Sequence, residues 1–362
     1  MSKTVLEIEE QEAETAKTPH SSAGPASAPP EVVVTQIMIG SLASQVLYVA
    51  AKLGIADLLA DGPKSVEELA TATDMHAPSL YRVLRATASL GVFTEQENQV
   101  FALNANAEPL RSNVPNSLRD IVIFMGEDWH WEVFGKIMYS VRTGKSAWGH
   151  AHNEEDVFDY FRKRPDAFEI FNRAMTSLTA LSAKAVNEGY DFTGVKTLVD
   201  IAGGHGRLLT EILEANPSMQ GILFDMPQVI EGARQTVAKT SAADRVEFVP
   251  GDFFVSVPAG GDAYMMKHII HDWDDEKSLT ILRNIKQAMN PGGRVLLIES
   301  VIAGVGAQDF GKLMDIEMLI SPGGKERTAA EYEDLFARAG LRMTRIVPTK
   351  SAYGVIEAVA AD

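Results

Sequence analysis

The chain has 362 residues, 46% of them hydrophobic and 23% charged, which is globular composition with room for two domains. Its formal net charge of -16 repels phosphate backbones and anionic bilayers, so nucleic acid and membrane surfaces are poor partners. With no cysteine, disulfides, thiolate metal sites and cysteine nucleophiles are excluded.

Residues 1–30 begin acidic and continue rich in Ser, Ala and Pro, the composition of a disordered tail. Met1 to Lys17 holds no apolar signal segment, and a cytoplasmic address is expected. Val32 to Leu59 is apolar but carries Gln36, Gln45 and Lys52, and it reads as a soluble helix. Leu42, Val46, Val49, Leu53 and Ala56 recur at helical spacing and predict one shared face. Ser65 and Glu68 have capping-box spacing ahead of a helix ending near Thr73, and Pro78 opens a second helix that Gly91 stops. Two β runs, Val92–Thr94 and Gln99–Leu103, flank a polar turn. Helix, turn, helix and hairpin over residues 31–110 is the order of a winged helix. Its second helix offers only Arg82 and Arg85 as cations, which favours dimerisation over DNA reading.

Residues 111–190 read as a helical connector and substrate lid, with an aromatic cluster of Phe124, Trp129, Trp131 and Phe134 and a helical apolar pattern through Phe168, Phe171, Met175, Leu178 and Leu181. From residue 191 to 362 the period changes. Buried-strand runs at Thr197–Ile201, Gly221–Phe224, Val246–Val249, Ala263–Met266 and Arg294–Ile298 alternate with helical segments, and two further strands follow a helix at Ala329 to Ala339. That alternation predicts an α/β domain with a Rossmann-like parallel sheet.

The first strand runs into Ala202-Gly203-Gly204-His205-Gly206, where small residues let a ligand approach the backbone. Leu209 stands where a dinucleotide GxGxxG loop needs its last glycine. The second strand ends at Asp225, able to accept both hydroxyls of a ribose. The third ends at Asp252-Phe253, an acid for the exocyclic amine of adenine and a ring to pack on its face. Each residue alone has a bland reading, loop or turn. The ordered series at strand C-terminal ends points to an adenosyl group.

Strand four runs into Lys267-His268-Ile269-Ile270-His271-Asp272, strand five ends at Glu299, and a later loop carries Glu326. Methyl transfer from a sulfonium to a hydroxyl needs the acceptor deprotonated, and histidine is the natural base. A phenol of pKa about 10 against an imidazole near 6.5 leaves roughly 4–5 kcal/mol uphill. Carboxylates beside the imidazole reduce that gap, a role that suits Glu299 and Glu326. His268 is the rival base and is expected to pack on the sheet. The acids Asp272, Asp274, Asp275 and Glu276 read first as helix-capping groups and only second as a magnesium site, so no metal is expected.

At these residues the chain resembles the plant caffeate-type and bacterial polyketide-type O-methyltransferases. Phe224-Asp225-Met226-Pro227, Gly251-Asp252-Phe253-Phe254, Met266-Lys267…His271-Asp272-Trp273 and Gly323-Gly324-Lys325-Glu326-Arg327-Thr328 occur in family order, and the likeness runs from about residue 35 to the end. The resemblance implies a class I methyltransferase sheet with an N-terminal winged-helix dimerisation domain, a homodimer, S-adenosyl-L-methionine as cofactor, and a small aromatic acceptor. It implies His271 as general base flanked by Glu299 and Glu326. The cofactor would be held by the loop Ala202, Gly203 and Gly204, by Asp225, by Asp252 with Phe253, and by Lys267. Phe171 and Met175 would close over the site, while Met125, Trp129 and Asp272 would line the acceptor. Ala202 departs from the family's glycine, and binding is expected to persist if its φ is negative. Two alternatives stay open: N- or S-methylation, and a methyltransferase-fold hydroxylase or decarboxylase that keeps the cofactor structurally.

Overall fold

A computed structural model describes residues 29–153 and 156–361. Of the expected tail, residues 1–28 lie outside the described residues, and Pro30 already opens a helix, Pro30–Lys52. The chain divides between Ala43 and Ser44 into two compact units. The described part of the first unit is the start of that helix, and Val34, Ile37, Met38 and Leu42 on it are exposed. At 23 residues the helix is long and apolar enough to cross a membrane by length and composition.

The single apolar face expected through Ala56 is not formed. Leu42 is exposed, the helix ends at Lys52, and Gly54 turns the chain at φ 67° before a short second helix, Ile55–Leu58. That left-handed turn comes at glycine because a Cβ would resist it.

The second unit opens with a small helical lobe. Ser65 accepts from Glu68 N while the Glu68 carboxylate accepts from Ser65 N, so two otherwise orphaned N–H groups are satisfied at the start of helix Val66–Thr73. The next helix is Ala77–Ser89. Three short strands, β1 (Lys64–Ser65), β2 (Thr94–Gln96) and β3 (Val100–Ala102), form an antiparallel sheet in the order β1-β3-β2. The first hairpin strand starts two residues later than the pattern predicts. Val92 N is spent on Thr87 O at the helix end, and Phe93 turns through φ 68°.

Short helices follow, among them Arg119–Gly126, Asp128–Phe134 and Trp148–His152, and then the long helix Pro165–Gly189. Their core holds Phe124, Trp148, Tyr160 and Phe161.

The remainder is a seven-stranded sheet: β4 (Thr197–Ile201), β5 (Gln220–Asp225), β6 (Val246–Pro250), β7 (Ala263–Lys267), β8 (Arg294–Glu299), β9 (Leu341–Pro348) and β10 (Gly354–Ala360). The order is β6-β5-β4-β7-β8-β10-β9, with β4 to β8 parallel and β10 antiparallel to both its neighbours. Helices cover both faces, so strand residues divide alternately between two cores. Leu296 and Ile298 pack on one side, Val295 and Leu297 on the other. Strand order reverses between β5 and β7 about β4. That switch point opens a crevice at the strand C-terminal ends, where open α/β sheets take their ligands.

Candidate active site

The loop after β4 is shaped by what its residues lack. A Cβ on Gly203 would lie 2.4 Å from Leu223 and 2.5 Å from Asp200 Oδ2, whereas the space beside Gly204 is open. Ala202 takes φ 54°, the left-handed region, so the expectation of a negative φ there is corrected. A side chain in that conformation costs about 1 kcal/mol, held here by Ala202 N donating to Phe224 O at 2.7 Å. Asp225, at the end of β5, accepts from Gly204 N at 2.8 Å and from Met226 N at 2.7 Å. Burial lifts its pKa to about 6 against those two hydrogen bonds. Each of its oxygens keeps a second acceptor direction for a diol.

Asp200, buried behind the loop, is pushed up to about 8 by burial and by the Asp225 charge, while Lys267 opposes. Lys267 is lowered to about 7 by burial, with Glu299 and Asp200 pulling the other way. Its Nζ lies 3.1 Å from His268 Nδ1 and over the Tyr353 ring. Lys267 thus stands between the glycine loop and the acids beyond β8. Asp252 is exposed and its Oδ1 accepts from Phe254 N at 2.8 Å, leaving Oδ2 available. Phe253 packs edge-on to Trp273 at 6.1 Å, and Trp273 stacks on Phe158 at 5.3 Å with its Nε1 buried and unpartnered. An open glycine turn, a buried acid with free acceptor directions and an aromatic wall fit the adenosyl and methionyl parts of S-adenosylmethionine.

His271 closes the other end of the crevice. Its Nδ1 donates to Glu326 Oε1 at 2.8 Å and lies 3.5 Å from Glu299 Oε2, so Nε2 is the atom left to face an acceptor, with Asp272 Oδ1 3.6 Å from it. Burial alone would lower the imidazole's pKa. Glu299, the Glu326 hydrogen bond and Asp272 overcome this and raise it to about 10. Glu299 is fully buried and is pushed up to about 7 by burial against the His271 charge. Its Oε1 accepts from both Ile269 N and Ile270 N at 3.0 Å. His268 is held between Tyr353 and His271 at a φ of 55°, and burial with the Lys267 and His271 charges drives its pKa well below the usual 6.5. Among the described residues His271, Glu299 and Glu326 offer ligand atoms within 4.8 Å of one another, near enough to share a cation.

The Gly323–Thr328 loop fixes this geometry. A Cβ on Gly324 would fall 2.0 Å from His271 O, and Lys325 N donates to that same oxygen at 2.9 Å. Arg327, fully buried, donates to Ile270 O and Trp273 O at 3.0 Å and to Asp275 Oδ1 at 2.8 Å. The acidic run is otherwise engaged: Asp274 caps helix Asp275–Ala288 by accepting from Lys277 N, and Glu276 pairs with Arg338.

Above the site, Phe171 stacks on Phe161 at 4.8 Å and meets Phe124 edge-on at 5.8 Å. Trp129 packs among Phe124, Trp148 and Phe161. Met125 and Met175 are half-buried in the same cluster. His205 reaches this roof, its Nδ1 3.1 Å from Thr176 Oγ1 on the helix that carries Phe171 and Met175. Asp200, Trp273 and the buried pair His130–Glu317 escaped the sequence reasoning. Trp273 stood inside a quoted motif, Asp200 was hidden by its strand, and the pair joins residues far apart in the chain.

Fold and site together define the class of S-adenosylmethionine-dependent methyltransferases. Residues 134–342 match the O-methyltransferase domain, and residues 35–111 match the O-methyltransferase dimerisation domain, which supports a homodimer. The chain belongs to the O-methyltransferase family. It is 43% identical to a phenazine O-methyltransferase of Lysobacter antibioticus over 90% of this chain and 95% of that one. It is 34% identical to a phenazine-1-carboxylate N-methyltransferase of Pseudomonas aeruginosa over 86% of this chain and 92% of the other. The crystal structure of LaPhzM superposes with a TM-score of 0.89 at 43% identity, covering 92% of this chain and 99% of its own. Human N-acetylserotonin methyltransferase in complex with S-adenosylmethionine gives 0.86 at 25% identity, covering 94% and 100%. S-adenosylmethionine is the cofactor.

Proposed function

We propose that the chain transfers a methyl group from S-adenosylmethionine to a phenolic hydroxyl of a small aromatic or polyketide-like metabolite, with His271 as general base. The observation that carries this is the 2.8 Å hydrogen bond from His271 Nδ1 to Glu326, which leaves Nε2 to take a proton. When bound, the cofactor supplies an electrophilic methyl on a positively charged sulfur. His271 Nε2 would take the proton of the acceptor hydroxyl as its oxygen receives the methyl, and the cofactor would leave as the neutral thioether. Free imidazole is too weak a base for a phenol. The ring of His271, raised to about 10, matches the phenol and makes proton sharing nearly level. Glu299 and Glu326 then stabilise the imidazolium.

In this reading Asp225 holds the ribose, Asp252 and Phe253 the adenine, Ala202 to Gly204 the methionyl end, and Lys267 the adenosyl side. Phe171 and Met175 close over the site, while Met125, Trp129 and Asp272 line the acceptor. The aromatic cluster of Phe124, Trp129 and Phe171 supports a flat acceptor, and a relative that acts on a phenazine is consistent with one.

The test is His271→Ala assayed for S-adenosylhomocysteine formation with a panel of phenols. Turnover is expected to fall 10²–10⁴-fold with cofactor affinity held. Undiminished turnover of the phenols would dismiss His271 as the base. Absence of S-adenosylhomocysteine with every acceptor would favour a structural cofactor.

A further inference from the structure

One buried acid near the site has no part in the chemistry above. Glu317 lies on helix Gly311–Ile320, is 8% exposed, and takes a hydrogen bond from His130 Nε2 to its Oε1 at 2.9 Å. Its Oε2 is buried and unpartnered. A carboxylate oxygen left without a donor inside a protein is costly, so the site is built for a donor that arrives from outside.

Two observations locate it. His130 packs against Phe124 at 4.6 Å, Trp129 at 6.0 Å and Phe134 at 5.2 Å, which puts Glu317 on the aromatic cluster. On the other side, Glu317 is one of the charges that act on Asp272, alongside His271 and Glu326. The His130–Glu317 pair therefore adjoins the aromatic cluster that the reading above gives to the acceptor. His130 is itself buried among these rings, which holds in place the carboxylate it donates to.

We propose that Glu317, positioned by His130, reads a second hydrogen-bond donor on the acceptor. The preferred substrate is then an uncharged aromatic carrying a hydroxyl or amino group besides the one methylated, and acceptors with a ring carboxylate are turned away. This rests on the phenol-methylating reading above and narrows it to a substrate class. A site that hydrogen-bonds a donor rejects analogues lacking it, because its own polar group is then buried unpaired. A carboxylate placed there meets like charge.

The experiment compares three matched probes: 2,7-dihydroxynaphthalene, 2-naphthol and 7-hydroxy-2-naphthoate. Each is measured for methyl transfer, and by calorimetry for binding in the presence of S-adenosylhomocysteine. The wild-type enzyme is expected to favour the diol at least ten-fold over 2-naphthol and at least a hundred-fold over the carboxylate, chiefly through KM and Kd. Glu317→Gln keeps an oxygen for His130 and removes the charge, and should narrow the diol-to-carboxylate ratio at least ten-fold. Glu317→Leu should erase the preference for the diol over 2-naphthol. Because ratios are read, a general loss of activity does not imitate the result. Equal treatment of the three probes by the wild type, including no uptake of any, overturns the proposal, as do ratios unmoved in both variants. Discrimination in binding without methylation of any probe would uphold Glu317's role while sinking the phenol-methylating reading.

Discussion

Gly324 and His271 touch backbone to backbone: a Cβ on the glycine would fall 2.0 Å from the carbonyl oxygen of the histidine. The loop that carries Glu326 is thereby pressed onto the segment that carries His271, the proposed base, and Lys325 N and Arg327 tie the two together. Gly324→Ala should separate Glu326 from His271 Nδ1 and lower kcat about a hundred-fold, since small misplacements of catalytic groups carry penalties of that size. Circular dichroism should show the sheet retained. Normal kcat would show that the contact does not govern the base.

Protonation of His271 predicts a pH profile. The ring must be neutral to take a proton, and its neighbours raise its pKa to about 10 against burial. In the free enzyme kcat/KM should therefore climb with pH well above 6.5. Glu326→Gln removes a raising influence, so the rising limb should move to lower pH, with maximal turnover down about ten-fold or more. Stability carries the matching sign. A raised folded value contributes fully below 6.5 and is lost as pH rises through about 10. The stability gap between wild type and His271→Gln should accordingly shrink over that interval, measured by urea titration.

Cofactor affinity should weaken in acid. Asp225, lifted to about 6 by burial, loses its charge as pH falls through that value, and a protonated carboxyl accepts hydroxyl protons less well. Calorimetry with S-adenosylhomocysteine should show Kd rising below about pH 6. Asp225→Asn should bind roughly ten- to a hundred-fold more weakly, the size of a charged hydrogen bond, and lose the pH dependence. A flat wild-type profile would remove Asp225 from the ribose site.

Ala202 holds φ 54° where a glycine would be unstrained. Ala202→Gly should stabilise the protein by up to about 1 kcal/mol in urea denaturation, the left-handed penalty less glycine's added unfolded-state entropy. Cofactor affinity should stay within about two-fold. A destabilised variant would mean that glycine's added unfolded-state entropy outweighs the strain relieved at this position.

The parallel strands were readable because burial on both faces leaves runs such as Arg294-Val295-Leu296-Leu297-Ile298 with no polar alternation to confuse them. The capping box at Ser65 and Glu68 was readable because its partners are three residues apart. Each residue ending a strand was in place to be named, so the acids at Asp225 and Glu299 could be foreseen. What stayed hidden depends on folding itself. The sign of φ at Ala202 follows from the hydrogen bond to Phe224, and the break after Lys52 from a glycine turn that interrupts a continuous apolar pattern. The contact between His130 and Glu317 joins residues 187 positions apart, and no local spacing announces it.

Val34, Ile37, Met38 and Leu42 at the start of helix Pro30–Lys52 are exposed, in a stretch that overlaps the dimerisation domain. A surface of that kind links the folded population to encounters between copies, so dilution should itself act as a denaturant. Cells making little of this protein would hold it closer to its unfolding threshold than cells making much, and a single substitution on that helix would be felt most where the protein is scarce.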